Sequence, residues 1–204
     1  MTKLWKVGIC VLLAIFLLPA CEEEQEPVEG AVESLSVADY YPLEVGQEWV
    51  YTATVADPDK QLEIGEVVKR VQVESVEEGV YTLKVNYHVY YTSEKQRLTY
   101  RSMSLIQLND DGSEVVLLNL NTAVGKNWAV GSEGMVCQIT ATDYTVTIDE
   151  KTFNDCLVAE TTNIPGQSGL VYRAVYAKGV GLVEEEWLNA QGEVISGAVL
   201  CVNK

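Results

Sequence analysis

The 204-residue chain has one histidine, His88, and only 14 lysines and arginines against 30 aspartates and glutamates. A single imidazole excludes catalytic schemes and zinc centres that draw on several. The shortage of cations, with a formal net charge of −16, argues against nucleic acid, whose phosphates a binder neutralises with Lys and Arg. No Cys-x-x-Cys pair, glycine-rich phosphate loop or nucleophile elbow occurs. These absences leave no cofactor and no metal site to assign. The longest apolar run, Val7 to Leu18, is twelve residues, where a membrane-spanning helix needs roughly 17–25. Beyond it no segment carries the stripe of an amphipathic helix, although residues 31–39 have room for one or two turns. The hydrophobic fraction of 48% nevertheless excludes wholesale disorder.

What is present begins with an address. Lys3 and Lys6 precede the apolar run, the pattern of a secretory signal peptide over residues 1–20. Leu18-Pro19-Ala20-Cys21 resembles a bacterial lipobox. That resemblance implies cleavage after Ala20, a thioether-linked lipid on Cys21 and acylation of the freed amino group. Two or three acyl chains hold a protein firmly where one holds it marginally. A plain secreted protein and an uncleaved anchor are the alternatives. Removing residues 1–20 takes away two lysines and no acid, so the mature charge becomes −18.

Five glutamates lie between Glu22 and Glu29, and Pro27 and Gly30 discourage helix. Residues 21–38 therefore read as a lipidated acidic tether, of which 22–38 reach at most about 60 Å when extended and nearer roughly 23 Å as a coil. The run also resembles acidic export signals of some Bacteroidetes surface lipoproteins, and residue 22 is not aspartate, the usual inner-membrane retention signal of enterobacteria. The expected location is the bacterial outer membrane, periplasmic or surface-exposed, with the lipid on Cys21 as the membrane contact.

From Asp39 onward the hydrophobic period is two. Tyr81, Leu83, Val85, Tyr87, Val89 and Tyr91 share one face of an expected strand at 81–92, with His88 on the other. Val67, Val71 and Val73 alternate with polar residues before it. Leu98, Tyr100, Ile106 and Leu108 are expected to share a face after it. Further strands read at 48–56, 114–119, 134–148, 156–162, 169–177, 182–188 and 193–202. Turn chemistry marks Glu77-Glu78-Gly79, Ser93-Glu94-Lys95, Asn109-Asp110-Asp111-Gly112 and Asn189-Ala190-Gln191-Gly192. A change of phase between Cys137-x-Ile139-x-Ala141 and Tyr144-x-Val146-x-Ile148 predicts a β-bulge near Thr142-Asp143. About ten strands in an antiparallel meander predict an all-β fold, a barrel, half-barrel or sandwich, in one domain over residues 39–204.

The domain opens Tyr40-Tyr41-Pro42-Leu43, then Gly46, Trp49 and Tyr51, and later reads Thr152-Phe153-Asn154-Asp155-Cys156 and Tyr176-Ala177-Lys178-Gly179-Val180-Gly181-Leu182-Val183. Together these resemble an uncharacterised family of bacterial lipoproteins. Lys151 stands where that family usually has glycine. The resemblance implies a secreted β-rich fold and no known activity. Physically, the aromatics read as core packing in preference to ligand contact.

The candidate chemistry is thin. His88 lacks an evident partner for general-base work. Glu185 alternates with Val183 and Trp187, a setting that can raise a carboxyl pKa and make an acid. The plainer reading of Glu184-Glu185-Glu186 is an edge strand guarded by charge. Asn109–Glu114 matches a calcium loop only superficially. Cys137, Cys156 and Cys201 allow one disulfide and one thiol. A hairpin centred near Glu150-Lys151 puts Cys137 opposite about residue 164, which weakens a 137–156 pair. No catalytic residue is assigned. The expected function is a non-catalytic envelope lipoprotein that binds a small or lipidic ligand or an envelope component. The alternatives are a structural partner of another envelope protein, joined through an edge strand, and, third, a carboxylate-dependent hydrolase.

Overall fold

A computed structural model describes residues 35–55, 63–88, 92–131 and 134–201. The signal peptide, Cys21 and nearly all of the tether lie outside these residues. A compact unit starts at Leu35, four residues before the expected boundary, because the first helical turn packs onto the barrel. That turn, α1 (Val37–Tyr40), is capped by Ser36, whose Oγ accepts from the Ala38 amide while Asp39 accepts from the Ser36 amide.

Twelve antiparallel strands follow among the described residues, where about ten are expected. The first six are β1 (Glu48–Val55), β2 (Glu63–Glu77), β3 (Val80–Tyr87), β4 (Thr92–Arg101), β5 (Ser104–Leu108) and β6 (Glu114–Asn119). The second six are β7 (Asn127–Ala129), β8 (Val136–Ile148), β9 (Lys151–Thr162), β10 (Val171–Ala177), β11 (Gly181–Leu188) and β12 (Val194–Leu200). Consecutive strands pair from β1 to β6 and again from β7 to β12, and β12 pairs with β1. The ladder runs from β6 round to β7, so the fold is a meander curled into a nearly closed barrel. Among the described residues, the gap between β6 and β7 is spanned by one backbone bond, Val116 N–H to the Val130 carbonyl at 2.9 Å, and by the Trp128 indole donating to the Val116 carbonyl.

The predicted alternation holds in most strands. Val71, Val73, Leu83, Val85 and Leu98 are buried on one continuous inner face. The expected bulge is present: the register shifts between Ala141 and Tyr144. At the next register shift, between Tyr144 and Val146, Asp155 of the facing strand adopts a left-handed φ of 53°, and β9 begins at Lys151, earlier than expected, once this kink is absorbed. At the β2–β3 turn Glu78 and Gly79 both have positive φ, 50° and 79°, the pattern of a two-residue hairpin matched to strand twist.

Four expectations need correction. Ser93-Glu94-Lys95 is strand, paired with Asn86, Val85 and Lys84; His88 is an exposed turn residue off the strand, and Val89 and Tyr91 lie outside the described residues. Leu105, not Ile106, shares the inner face with Leu98 and Tyr100, because the β4–β5 register places Leu105 opposite Tyr100 and Ile106 opposite Thr99. Strand β11 is no edge, since β10 and β12 flank it. The thiols of Cys137, Cys156 and Cys201 are free. Bulges place Cys137 opposite Thr161, so Cys137 and Cys156 stand five residues apart along β9, about 16 Å at strand rise, beyond the roughly 7 Å a disulfide spans.

One end of the barrel is plugged. Helix α1 contacts both β5 and β11, which lie six places apart in a ring of twelve, so the segment crosses the opening. The Tyr100 hydroxyl donates to the Tyr41 carbonyl at 2.5 Å, and the Gly179 amide donates to the Asp39 carbonyl at 2.6 Å.

Candidate functional site, the barrel lumen

Residues of the first and last of the three resemblance motifs hold this plug and the wall beside it. Trp49 and Tyr51 point inward from β1, as expected for residues two apart. Trp49 Nε1 donates to the Val180 carbonyl at 2.6 Å and the Tyr51 hydroxyl to the Leu182 carbonyl at 3.0 Å. Both aromatics thus fasten the opening strand to the glycine corner between β10 and β11. Gly181 has a φ of 110°, and a Cβ there would lie 3.0 Å from Trp49 Nε1, so glycine is what lets the indole sit against the corner.

Above the plug lies a cavity of about 350 Å³. Its deep part is apolar and aromatic: Tyr41 rises from the plug, with Tyr176, Leu182, Leu105 and Leu117 around it. One step further from the plug comes a polar belt. Lys69 of β2, Tyr172 of β10 and Glu185 of β11 project inward there, with Gln96, Gln107 and Thr161. Trp187, Met135 and Ile164 line the part furthest from the plug, the last two from the β7–β8 and β9–β10 connections.

The belt has a defined bonding pattern. Lys69 Nζ donates to Glu185 Oε1 at 3.2 Å and to Oε2 at 3.4 Å, and the Tyr172 hydroxyl donates to Oε2 at 2.8 Å. The ammonium also lies 5.4 Å from the centre of the Tyr51 ring, close enough for cation–π attraction. Both side chains of the ion pair are about four-fifths removed from water, at 19% and 18% exposure. Burial, then the Glu185 charge, pushes the Tyr172 phenol well above the ordinary tyrosine pKa. Burial likewise raises Tyr41 and Tyr176. The lumen's phenols therefore act as neutral hydrogen-bonding groups across the physiological range.

The sequence-stated candidates divide accordingly. Glu185 does share the lumen with Trp187, and Lys69 and Tyr172 occupy its oxygens. Glu184 and Glu186 face away, Glu186 towards Arg173 at 3.3 Å. His88 lies outside the lumen lining. In Asn109–Glu114, Asp111 is spent within its own turn, its Oδ1 accepting from the amide and hydroxyl of Ser113, and Glu114 accepts from the Arg101 guanidinium. Asn189 likewise accepts from the Gln191 and Glu193 amides. Among the described residues no three His, Cys, Asp or Glu side chains gather as they would around a metal ion. The aromatics are core as expected for Trp49, Tyr51 and Tyr176, and Tyr41 and Tyr176 also border the cavity.

Sequence reasoning passed over Lys69, Tyr172, Gln96 and Gln107. The usable signal was parity. Lys69 occurs in phase with Val71 and Val73, and Gln96 in phase with Leu98, so each is a polar residue on the face that turns inward.

Fold and site define an all-β, up-and-down barrel with one plugged end and a mixed apolar and polar lumen. No protein-family model and no curated protein matches the chain. Two solved structures are similar to it. One is a Bacteroides fragilis protein, inferred to be exported and described as having a YmcC-like fold, at 12% identity and a TM-score of 0.49, covering 79% of this chain and 96% of that one. The other is a Parabacteroides distasonis protein, inferred to be a lipoprotein, at 13% identity and a TM-score of 0.45, covering the same shares.

Proposed function

We propose that this chain is an outer-membrane lipoprotein, anchored through lipid on Cys21, that holds a small amphipathic ligand in its barrel lumen without transforming it. The observation that carries the reading is the lumen itself: a cavity of about 350 Å³ with an aromatic floor and a convergent polar belt. Pockets for small ligands have this make-up, mostly apolar walls with a few placed polar groups. A filled barrel would have needed only side chains. Strand addition to a partner has less to recommend it, because β6 and β7, the two ends of the ladder, face each other across a bridged seam. The hydrolase reading loses its acid, since Glu185 is committed to Lys69 and Tyr172.

Anchoring and binding are tested separately. Intact-mass measurement on protein from native membranes is expected to give a chain starting at Cys21 with added acyl mass; an unacylated start there refutes the anchor. Protease treatment of intact cells then decides between the two faces of the outer membrane. Native mass spectrometry of gently released protein is expected to carry a small non-covalent adduct of lipid-like mass. An empty lumen together with a stoichiometric co-purifying protein would replace the ligand reading with the partner reading.

A further inference from the structure

The lumen also specifies the kind of head group, an inference that rests on the ligand-binding reading above. We infer that the barrel selects single-chain amphiphiles with an uncharged, hydrogen-bonding head, such as an alcohol or primary amide, over those with a carboxylate or an ammonium. The argument begins with the layers. Tyr176, Leu182 and Leu105 lie nearer the plug than Tyr172, Glu185 and Gln107 on the same three strands. An apolar tail therefore has its place at the floor and a polar head at the belt. The volume, about a dozen times the roughly 30 Å³ of a water molecule, suits a ligand of about that many heavy atoms.

Charge then decides the head. Lys69 and Glu185 are the only charged side chains among the described residues that line the cavity, and they bond to each other. The belt is neutral as a whole, so an incoming ion loses hydration and meets no unmatched counter-charge. A carboxylate would compete with Glu185 for Lys69, and an ammonium would compete with Lys69 for Glu185. Either exchange strands one buried partner. An uncharged head needs both donors and acceptors: Gln96 and Gln107 each spend one amide N–H, on Glu94 and Asn109, which leaves the second N–H and the amide oxygen of each, with the hydroxyl of Thr161, to supply both at that level.

The test uses three probes with one tail: octanamide, octanoate and octylammonium. Each is titrated at pH 7 into the full chain carrying Cys21→Ala, which takes up no lipid. The readout is the fluorescence of Trp187, identified by difference from Trp187→Phe. Octanamide is expected to saturate at a concentration about tenfold lower than either ion. In Glu185→Gln, where the Lys69 charge is left unmatched, octanoate is expected to gain about tenfold and octanamide to change little. If an ion binds the unsubstituted lumen as tightly as octanamide, the head-group selectivity is overturned while lumen binding stands. If none of the three saturates, the lumen reading falls and this inference falls with it.

Discussion

Lys69 and Glu185 are a charged pair held in a lumen whose floor is aromatic, and their worth differs from that of a surface bridge. Desolvation of both groups offsets much of the attraction, so the pair as a whole contributes little, whereas one partner without the other is costly. Full burial would make the loss of one partner about 3–5 kcal/mol; with roughly a fifth of each side chain still exposed, Lys69→Met is expected to cost about 2 kcal/mol. The double variant Lys69→Met/Glu185→Leu is expected to return to within about 1 kcal/mol of the parent. Urea unfolding of the four proteins measures this, and additive losses would show that the pair is not coupled. On the outer face of the same strand Glu184 titrates in the opposite sense from a paired carboxylate. Burial raises its pKa first, the neighbouring Glu186 adds to the rise, and Arg173 partly counters it. The native state then holds its proton to higher pH than the unfolded chain, so Glu184 withdraws stability as pH climbs above about 4.5. Glu184→Gln is accordingly expected to raise the melting temperature by a few degrees at pH 7, with the gain vanishing near pH 4. An equal gain at both pH values would assign the effect to something other than ionisation.

At the level of strands and turns, two glycines separate backbone conformation from close packing. Gly79 needs its positive φ for the β2–β3 hairpin, yet a Cβ there meets nothing within 4 Å, so Gly79→Ala is expected to cost only about 1 kcal/mol. Gly197 lies in mid-strand, and a Cβ there would approach the Glu185 carbonyl oxygen to 2.6 Å. That neighbour is backbone and cannot swing aside. Gly197→Ala is therefore expected to cost about 2–4 kcal/mol, to push β12 off β11 and to loosen the Lys69–Glu185 contact behind it. Denaturant midpoints for the two variants give the order, and a Gly79 variant as weak as the Gly197 one would contradict it. This distinction also explains what the sequence could reveal. Alternation exposed most strands and the phase change at Thr142-Asp143 exposed a bulge, because both follow from one face being buried. The β4–β5 register was missed because a two-residue turn at Ser102-Met103 sets it, and either parity of Leu105 and Ile106 offers an apolar side chain. Glu185 was legible as a carboxylate in an apolar phase. Its partners were not, since Lys69 is 116 residues away and meets it only once β1 and β12 have closed the ring between them.

The whole barrel has one weak line. Eleven junctions are strand ladders, whereas among the described residues β6 and β7 are joined by a single backbone bond, from Val116 to Val130, with the Trp128 indole beside it. Opening that line breaks few bonds, and local opening free energies follow the bonds and buried contacts that must be given up. Amides of β6 and β7 that face the seam are thus expected to exchange hydrogen far faster than those of β1 and β12, where the terminal strands meet in a five-pair register. The lumen lining ties this line to the ligand. Val115 and Leu117 of β6 and Val130 just after β7 all border the cavity. An amphiphile whose tail lies against them adds contacts across the seam, and any ligand bound only by the closed form stabilises closure by mass action. Saturating octanamide is therefore expected to slow exchange at the seam selectively, by about tenfold at tenfold excess over its dissociation constant, and to leave the β1–β12 junction unchanged. Exchange measured by nuclear magnetic resonance with and without octanamide reads both effects. Protection rising evenly round the barrel would mean that the ligand stabilises the fold as a whole. Seam amides already as protected as those of β1 and β12 would mean that the barrel has no preferred place to open.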